Sequence, residues 1–564
     1  MTTYYFPFVP TFLTIKQKLG LVLAGGLASL AMPPFSLLPL ICCLSYGGWL
    51  FLTHAFIAPN KFLRAWFGFA IGWFMGFGWF LASLYWLCQA LITAGPNFYK
   101  FIPLAVTVVP AGLAIFWGWG FALATLPFAR MDKRQIRVYF AGQLGIAQSM
   151  HQRIPWPWLQ HKLDRLLLLV VWFMAVEWLR GLIFTGFPWQ TPGMLFAFAP
   201  FDIGVGFSVV SLLGVWGCGV IACLIAFFPL SFLMARYATI AMAGIVAVAF
   251  MAGVGVDGRT AQPTTATGMA VRVVQPSIPQ KEKWKLEKRD AHLNSHVTAS
   301  RADLPSHSPE LIVWGETAYA GFLEYDIQEL KFRFATATRA NAWLITGGLG
   351  SNLTEDDEII YHNSAYMLSP LGAIFSRYDK QHLVPYGEYL PFRRWIPFIS
   401  HVVGIGDFVP GTDHARMYML TDNNSKLVTI APLICYEIIF PGLTRRMAHG
   451  VEGEHIPADF IVNLTNDAWF GNSLGPRQHL AMAQMRAAEL GIPVIRAANS
   501  GISAIIDPYG KITTRVDYNV VGWGDGVVGG KVATLYYHIG DLGFLCLMVG
   551  LVLVVVVLGR VKRN

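Results

Sequence analysis

Long apolar runs fill the first half of the chain and return near its C-terminal end. Because a helix needs about 20 mostly apolar residues to cross ~30 Å of hydrocarbon, we predict a polytopic α-helical membrane domain. Its eight predicted spans are 17–31, 35–57, 65–88, 102–128, 166–186, 206–233, 237–255 and 540–559. No small-residue cleavage site follows the first run, so we interpret it as a span rather than a cleavable signal peptide.

From about residue 268 the pattern changes to short β-branched runs separated by polar stretches that are compatible with helices. The predicted strands are 270–274, 311–314, 343–346, 364–368, 427–434, 460–464, 493–496 and 503–506, and the predicted helices include 281–299, 325–340 and 476–490. Near-continuous apolar strands are typical of sheets that helices bury on both faces. We therefore predict a membrane domain over 1–256, an inserted layered α/β domain over 257–536, and a last span with a basic tail over 537–564.

Composition separates the chain into the same two parts. Of its 564 residues 55% are hydrophobic and only 13% are charged, whereas an ordinary soluble domain has about 25% charged residues. The membrane segments hold 17 Lys and Arg against 5 Asp and Glu, and the α/β segment holds 25 against 28. The formal net charge of +9 therefore comes from loops beside the membrane, and we expect no nucleic-acid partner.

Basic loops predict the orientation of the membrane domain. Lys and Arg collect in the cytoplasmic loops of membrane proteins, and here they precede the first span, follow the last one and fill alternate loops. With eight spans these loops lie on one side, so we expect a multi-pass protein of the bacterial inner membrane with both termini cytoplasmic and a periplasmic α/β domain.

Ionisable residues are scarce inside the spans, which argues against a transporter. Glu177 and Arg180 are expected to pair on one helix or, alternatively, to bind lipid headgroups.

Polar groups follow three short runs of the α/β domain, two of them apolar. Cys435, the only cysteine of that domain, comes directly after 427–434. Glu316 follows 311–314, and Lys380 follows a further short run. Taken singly, a packed thiol and two solvated charges would be the ordinary interpretation. Because strand ends of a layered domain converge on one rim, and the thiol has no disulfide partner in its domain, the three groups are predicted to meet there.

Segments around these residues resemble the Glu, Lys and Cys motifs of the nitrilase, or carbon–nitrogen hydrolase, superfamily. They are Ile312–Ala318, Tyr378–Pro391 and Ile434–Ile438, and the stretches 463–471 and 486–501 extend the similarity. With eight spans around this domain, the whole chain resembles the apolipoprotein N-acyltransferase family. The resemblance implies a nitrilase-like αββα fold for the inserted domain. Gly315 departs from the pattern, since relatives often have Pro before the Glu.

The resemblance also implies a cysteine nucleophile, Cys435. Glu316 is expected to be the base that takes the Cys435 proton, and Lys380 to stabilise the tetrahedral oxyanion. Glu388 is expected to orient Lys380 or to handle the proton of the attacking amine. A purely structural ion pair between Glu388 and Lys380 is the alternative.

Four further residues are predicted at the substrate site. The resemblance places Tyr436 and Glu437, the two residues after Cys435, at the substrate site, and stabilisation of the turn is their alternative role. Trp284 and Trp189 are predicted to line the entrance for the acyl chain or headgroup, or else to anchor the protein at the membrane interface. The sequence has neither clustered metal-ligand spacing nor a phosphate-binding glycine loop, so we predict no metal and no cofactor.

The implied reaction transfers a fatty acyl chain in two steps. Cys435 takes the chain from a membrane phospholipid as a thioester and passes it to the α-amine of the lipidated N-terminal cysteine of a diacylglyceryl-modified apolipoprotein. Donor and acceptor are both lipid-anchored, which explains the membrane domain. The alternatives are a membrane-anchored amidase or nitrilase acting on a small C–N substrate, and a non-catalytic transporter or scaffold. One chain carries every predicted group, so a monomer is expected to suffice.

Overall fold

The computed structural model describes most of the chain. The described residues are 13–55, 60–126, 163–197, 205–234, 243–244, 268–303, 308–339, 341–390, 408–412, 416–421, 426–450 and 456–561. The chain divides into two compact units. We call Met1–Phe198, Ser208–Gly255 and Asp541–Asn564 the helical unit, and Ala199–Phe207 with Val256–Gly540 the α/β unit.

Helices make up most of the described part of the helical unit. The α-helices are Ile15–Ser29, Ser45–Leu50, Lys61–Ser83, Leu87–Ala94, Ile102–Leu123, Leu163–Arg180, Val205–Met234 and Leu542–Val561, and shorter 3-10 or π turns lie at Leu38–Leu44, Phe51–Ala55, Pro96–Phe101, Ile183–Thr185 and Pro192–Phe196. Among the described helices, three are long and apolar enough to cross a membrane, Lys61–Ser83, Pro96–Leu123 and Val209–Ser231. The predicted span 237–255 lies almost wholly outside the described residues, so the count of eight spans stays a prediction.

Glycines bring the first long helices of this unit into close contact. A Cβ atom on Gly25 would lie 1.9 Å from the carbonyl oxygen of Met75, and one on Gly72 would lie 2.3 Å from that of Trp117. Neither position accepts a side chain without backbone movement. Small residues of this kind allow helix backbones to approach closely within membranes, which explains the glycine content of Lys61–Ser83.

Glu177 and Arg180 form a buried salt bridge with an N–O distance of 2.7 Å. Trp117 Nε1 also donates to Glu177 at 3.0 Å, and the Arg180 guanidinium donates to the carbonyl oxygens of Phe187 and Trp189. The predicted pairing on one helix is therefore confirmed. Because protein groups satisfy both charged side chains, nothing in this arrangement favours the headgroup alternative.

Twelve strands in the described part of the α/β unit form two six-stranded sheets. The strands are β1 Met269–Gln275, β2 Leu311–Val313, β3 Trp343–Leu353, β4 Ile359–Leu368, β5 Ile374–Asp379, β6 Met417–Thr421, β7 Lys426–Ile434, β8 Phe460–Thr465, β9 Val494–Ala498, β10 Ser503–Ile506, β11 Ile512–Val516 and β12 Gly522–Val528. The first sheet has the order β12-β1-β2-β3-β4-β5 and the second β11-β10-β9-β8-β7-β6. Strands β1, β2 and β3 pair in parallel, as do β7, β8 and β9, and the flanking pairs are antiparallel.

Helices and sheets of this unit stack in layers. The α-helices are Gln280–Lys283, Arg289–Arg301, Leu323–Thr338, Pro441–His449, Gly475–Leu490 and Leu535–Ile539. Leu293 and Phe334, from two of these helices, share a buried core with Ile312 and Leu344 of the first sheet. Helices Pro441–His449 and Gly475–Leu490 contact the second sheet, and β1 contacts β9 and β10 across the two sheets. The predicted layered α/β fold is therefore confirmed.

Two features of this unit differ from the prediction. The predicted helix 281–299 is not continuous, because the α-helix Gln280–Lys283 ends before Trp284 and the next α-helix begins only at Arg289, after a 3-10 turn at Leu286–Lys288. Strand β5 was predicted only as the short run before Lys380. Strands β6, β11 and β12 were not predicted, because their residues are polar, glycine-rich or half exposed and lack the apolar run of a buried strand. The break after Lys283 separates the surroundings of two neighbouring side chains, since Lys283 is buried while Trp284 is 49% exposed.

Candidate active site

Three polar side chains lie together at strand ends of the α/β unit, as the sequence predicts. Glu316 follows β2, Lys380 follows β5 directly, and Cys435 follows β7 directly. Lys380 is 1% exposed and Cys435 is 8% exposed. The Lys380 Nζ atom lies 3.8 Å from Glu316 Oε1, and both charges act electrostatically on the Cys435 thiol. The carboxylate, the ammonium group and the thiol therefore form one buried cluster.

A second carboxylate holds the lysine of this cluster. Lys380 Nζ donates to Glu388 Oε1 at 2.9 Å and lies 2.8 Å from Oε2. The Glu388 carboxylate also accepts from the backbone N–H of Val384 at 2.8 Å. The ion pair between Glu388 and Lys380 is thus present, and it orients the ammonium group. The other predicted role of Glu388, transfer of the amine proton, stays a prediction.

Asn363 of β4 links the two carboxylates, and sequence reasoning missed it. Its Nδ2 donates to Glu316 Oε1 at 2.8 Å and to Glu388 Oε1 at 2.7 Å, while its main-chain carbonyl oxygen accepts from the backbone N–H of Lys380 at 2.9 Å. The side-chain amide therefore bridges the two carboxylates, and the main chain of the same residue holds Lys380. The polar triplet His362, Asn363 and Ser364 inside a strand was the available signal.

Burial and neighbouring charges set the ionisation of the Cys435 thiol. Burial raises the pKa of the Cys435 thiol, the Glu316 carboxylate raises it further and Lys380 lowers it, with a net value of about 12. At pH 7 a thiol of this pKa is thiolate in only about one molecule in 10⁵. Burial lowers the pKa of Lys380, but Glu388 and Glu316 outweigh burial and raise that pKa above its ordinary value. The resting site therefore holds a neutral thiol beside a permanently charged ammonium group.

Alkylation of Cys435 by a small electrophile is expected to rise about tenfold per pH unit between pH 8 and 10, because only the thiolate reacts. Mass spectrometry of the peptide that contains Cys435 measures the rate. N-acetylcysteine in the same mixture is the control, and its rate is expected to level off above pH ~8.5. A plateau for Cys435 below pH 10 would contradict the raised pKa.

Glu437 ties the nucleophile turn to the segment that follows β5. Its carboxylate is completely buried and accepts from the backbone N–H groups of Ile434 at 2.7 Å, Gln381 at 2.7 Å and His382 at 3.0 Å, and from the Tyr378 hydroxyl at 2.9 Å. Burial raises its pKa to about 6 against the effect of these donors. In this arrangement Glu437 is a positioning residue, and its predicted contact with substrate stays a prediction.

A buried polar network, which the sequence did not predict, contacts the sulfur and the main-chain carbonyl of Cys435. The Thr465 hydroxyl donates to Cys435 Sγ at 3.3 Å, and the His479 Nε2 atom lies 3.1 Å from the Cys435 carbonyl oxygen. Asp467 lies 2.9 Å from His479 Nδ1 and accepts from Arg496 at 2.7 Å. Burial raises the pKa of Asp467, but Arg496 and His479 outweigh it, so the net pKa falls to about 2. This network fixes the turn in which Cys435 has a φ of +51°.

The variant Asp467→Asn is expected to destabilise the α/β unit, because it leaves the Arg496 guanidinium buried without a carboxylate. Breaking such a buried pair costs about 3–5 kcal/mol. The apparent melting temperature in detergent measures this loss, with the exposed Asp357→Asn as the matched control. Since the pKa of Asp467 is lowered from 3.8 to about 2, its stabilising effect is present above pH 3.8 and is lost as the pH falls towards 2. Equal melting temperatures of the two variants would contradict the role of the network.

The other predicted substrate residues lie in different surroundings. Tyr436 is buried, with its ring 5.0 Å from that of Phe440 in an edge-on contact. Trp284 is half exposed. Trp189 belongs to the helical unit, where it is buried against Trp86 at a ring distance of 4.9 Å. The substrate roles of these three residues stay predictions.

Within the described residues no group of three or more His, Cys, Asp and Glu side chains is arranged to hold a metal ion.

Two stacked sheets with a buried glutamate, lysine and cysteine at their strand ends define the α/β unit as one of the carbon–nitrogen hydrolase class. The family model described as Carbon-nitrogen hydrolase matches residues 270–522, and that described as Apolipoprotein N-acyltransferase N-terminal domain matches 24–228. The apolipoprotein N-acyltransferase of Rhizobium rhizogenes is 33% identical over 560 residues, covering 97% of this chain and 96% of the relative. The chain belongs to the apolipoprotein N-acyltransferase family, and it is an acyltransferase enzyme.

Further comparisons cover most of the chain or about half of it. The apolipoprotein N-acyltransferase of Rickettsia prowazekii is 30% identical over 545 residues, covering 96% of this chain and 98% of the relative. Among solved structures, an amidase from Nesterenkonia sp. is 16% identical and covers 47% of this chain and 92% of its own, with a TM-score of 0.30.

Proposed function

We propose that this enzyme transfers a fatty acyl chain from a membrane phospholipid to the α-amine of the lipidated N-terminal cysteine of apolipoproteins, through a thioester on Cys435. In the first step the bond between Cys435 Sγ and the acyl carbon forms and the ester C–O bond breaks. The thiol proton passes through Glu316 to the leaving lysophospholipid oxygen. In the second step the amine nitrogen bonds to the acyl carbon, the C–S bond breaks, and the amine proton returns to sulfur through the carboxylate.

The observation that carries the proposal is a neutral, buried thiol beside a carboxylate and a fixed ammonium group. With a pKa of about 12, Cys435 needs a base during attack, and Glu316 lies in the same buried cluster. Lys380 is held by Glu388, so its charge is already in place when the oxyanion forms. A preorganised donor of this kind is worth about 3–4 kcal/mol in acyl transfer.

Burial also favours transfer to an amine over hydrolysis. Cys435 is 8% exposed, so a thioester on its sulfur has little access to bulk water, and exclusion of water protects reactive intermediates. The amine of a lipid-anchored acceptor can approach within the membrane plane, where its effective concentration is high. This supports an acyltransferase over the amidase alternative that the fold alone would permit.

We propose in addition that the helical unit crosses the bacterial inner membrane eight times, with both termini cytoplasmic and the α/β unit periplasmic. The distribution of Lys and Arg among the loops supports this orientation. A monomer is sufficient, because Glu316, Lys380 and Cys435 come from one chain. Membrane-impermeant labelling of single cysteines placed in successive loops tests the topology, and labelling of two neighbouring loops from the same side would contradict it.

The central experiment is mass spectrometry of enzyme purified in detergent and incubated with a phospholipid that carries a labelled acyl chain. We expect the label on the Cys435 peptide, sensitive to hydroxylamine as a thioester is, and its release when a diacylglyceryl lipopeptide with a free α-amine is added. The product is expected to be the N-acylated lipopeptide. A lipopeptide whose α-amine is acetylated is the matched control. Turnover of small amides without labelling by phospholipid would instead favour the amidase alternative.

A further inference from the structure

Lys283 is a buried cation of the active site, and the mechanism described so far does not use it. It is the last residue of the short helix Gln280–Lys283, and its side chain is 4% exposed although Lys281 and Lys285 beside it are exposed. Its Nζ donates to the main-chain carbonyl oxygen of Glu316 at 2.8 Å. Among the described residues this is its one hydrogen-bond acceptor. An ammonium group has three N–H donors, so two remain for other groups.

The charges around Lys283 show why a second cation matters here. Lys380 is engaged by Glu388 at 2.8–2.9 Å and lies 3.8 Å from Glu316, so two carboxylates share one ammonium group. Lys283 is a second buried cation, and it interacts electrostatically with Glu316 and with Cys435. Its positive charge therefore offsets the second negative charge of the cluster.

The groups that face Lys283 come from three further segments. Burial lowers the pKa of Lys283 to about 8, against the opposing effects of Glu316 and Cys435. His292 and His296, from helix Arg289–Arg301, also interact with it electrostatically. Burial lowers the pKa of His296 to about 4, so this neighbour is neutral at physiological pH. Lys283 therefore interacts electrostatically with Glu316, with the Cys435 thiol and with these two histidines.

We propose that Lys283 is a positioning residue for acyl transfer. It holds the main chain of Glu316, and it supplies a second positive charge beside the pair of groups between which the Cys435 proton moves. This inference rests on the proposed function and adds a residue to it. When the proton leaves sulfur, negative charge moves from the Glu316 carboxylate to sulfur and then to the oxyanion. A cation fixed beside both Glu316 and Cys435 favours ionised Glu316 before attack and the anionic sulfur during attack.

Three substitutions separate the charge of Lys283 from its hydrogen bond. Lys283→Met removes both, Lys283→Gln keeps a donor for the Glu316 carbonyl without the charge, and Lys283→Arg keeps both. Lys281→Met, on the exposed face of the same helix, is the matched control. The apparent melting temperature of each variant establishes that it is folded. If either the Met or the Gln variant fails to fold, the other one is used alone for the test of the charge.

The first readout is alkylation of Cys435 by a small electrophile at pH 7, where Lys283, with a pKa of about 8, is mostly charged. This assay needs no lipid. We expect the Met and Gln variants to be slower by about three- to tenfold, because loss of a nearby positive charge disfavours the thiolate. The Arg variant is expected to remain within about threefold of the original enzyme, because it restores the charge, and Lys281→Met to be unchanged. A Gln variant with the original alkylation rate would overturn the proposal.

The second readout is the rate of acyl-enzyme formation from labelled phospholipid as a function of pH. The Met and Gln variants are expected to lose about 10- to 100-fold, with the acid limb of the profile moved up by about 0.5–1 pH unit, because the base then binds its proton more readily. An unmoved acid limb in both variants would overturn the proposal. If the unsubstituted enzyme forms no acyl-Cys435, the proposed function fails, while the alkylation series still decides the role of Lys283.

Discussion

Replacing Cys435 by alanine is expected to lower acyl transfer by at least about 10³-fold, since loss of a covalent nucleophile removes the two-step route altogether. The substitution deletes one sulfur and one hydrogen bond, from Thr465 at 3.3 Å. The fold is expected to remain, because Glu437, Asn463 and His479 hold the turn through main-chain groups. Transfer of a labelled acyl chain from phospholipid to a diacylglyceryl lipopeptide measures the loss.

The matched control is Cys546→Ala, because Cys546 is an exposed free cysteine of the helical unit. It is expected to retain full activity and the labelled adduct on Cys435. Cys435→Ala is expected to carry no hydroxylamine-sensitive label anywhere in the chain. Residual transfer by the alanine variant above about one part in 10³ would place the acyl intermediate on another group or exclude a covalent route.

The positions of the three central groups could be predicted because each follows a short strand-like run. Cys435 follows β7 directly and Lys380 follows β5 directly, and the strand ends of a layered fold meet at one edge, so order along the chain was enough to place them. The layered fold itself followed from runs such as β7 and β8, whose residues are almost all buried. Local pattern therefore gave the nucleophile and its two charged neighbours.

Residues that depend on the packing of one element against another could not be predicted. Lys283 lies in a charged run that is typical of a solvated helix face. Only the end of the helix before Trp284 allows its side chain to reach the Glu316 carbonyl oxygen. Asn363 joins two carboxylates from different loops, which needs the register of β4 against β5. His479 reaches the Cys435 carbonyl from the helix Gly475–Leu490. Each contact joins residues that the sequence gives no reason to pair.

The variant Glu316→Gln is expected to lower the rate of acyl-enzyme formation by about 10²- to 10⁴-fold, the usual contribution of a general base. The two side chains have the same shape, and the amide oxygen can still accept from Asn363, which donates to Glu316 at 2.8 Å. The site is therefore expected to keep its geometry while it loses the group that takes the thiol proton. Pre-steady-state labelling by phospholipid measures the rate, and Glu329→Gln, on an exposed face of Leu323–Thr338, is the matched control.

Alkylation of Cys435 is expected to change in the opposite direction in the same variant. The Glu316 carboxylate raises the pKa of the Cys435 thiol, so its removal makes the thiolate easier to form, and reaction with a small electrophile at pH 9 is expected to become faster. A variant that is only distorted would lose both reactions, whereas loss of a base lowers acyl transfer alone. Slower alkylation together with slower acyl transfer would contradict the assignment of Glu316 as the base, because the carboxylate would then act on the shape of the site rather than on the proton.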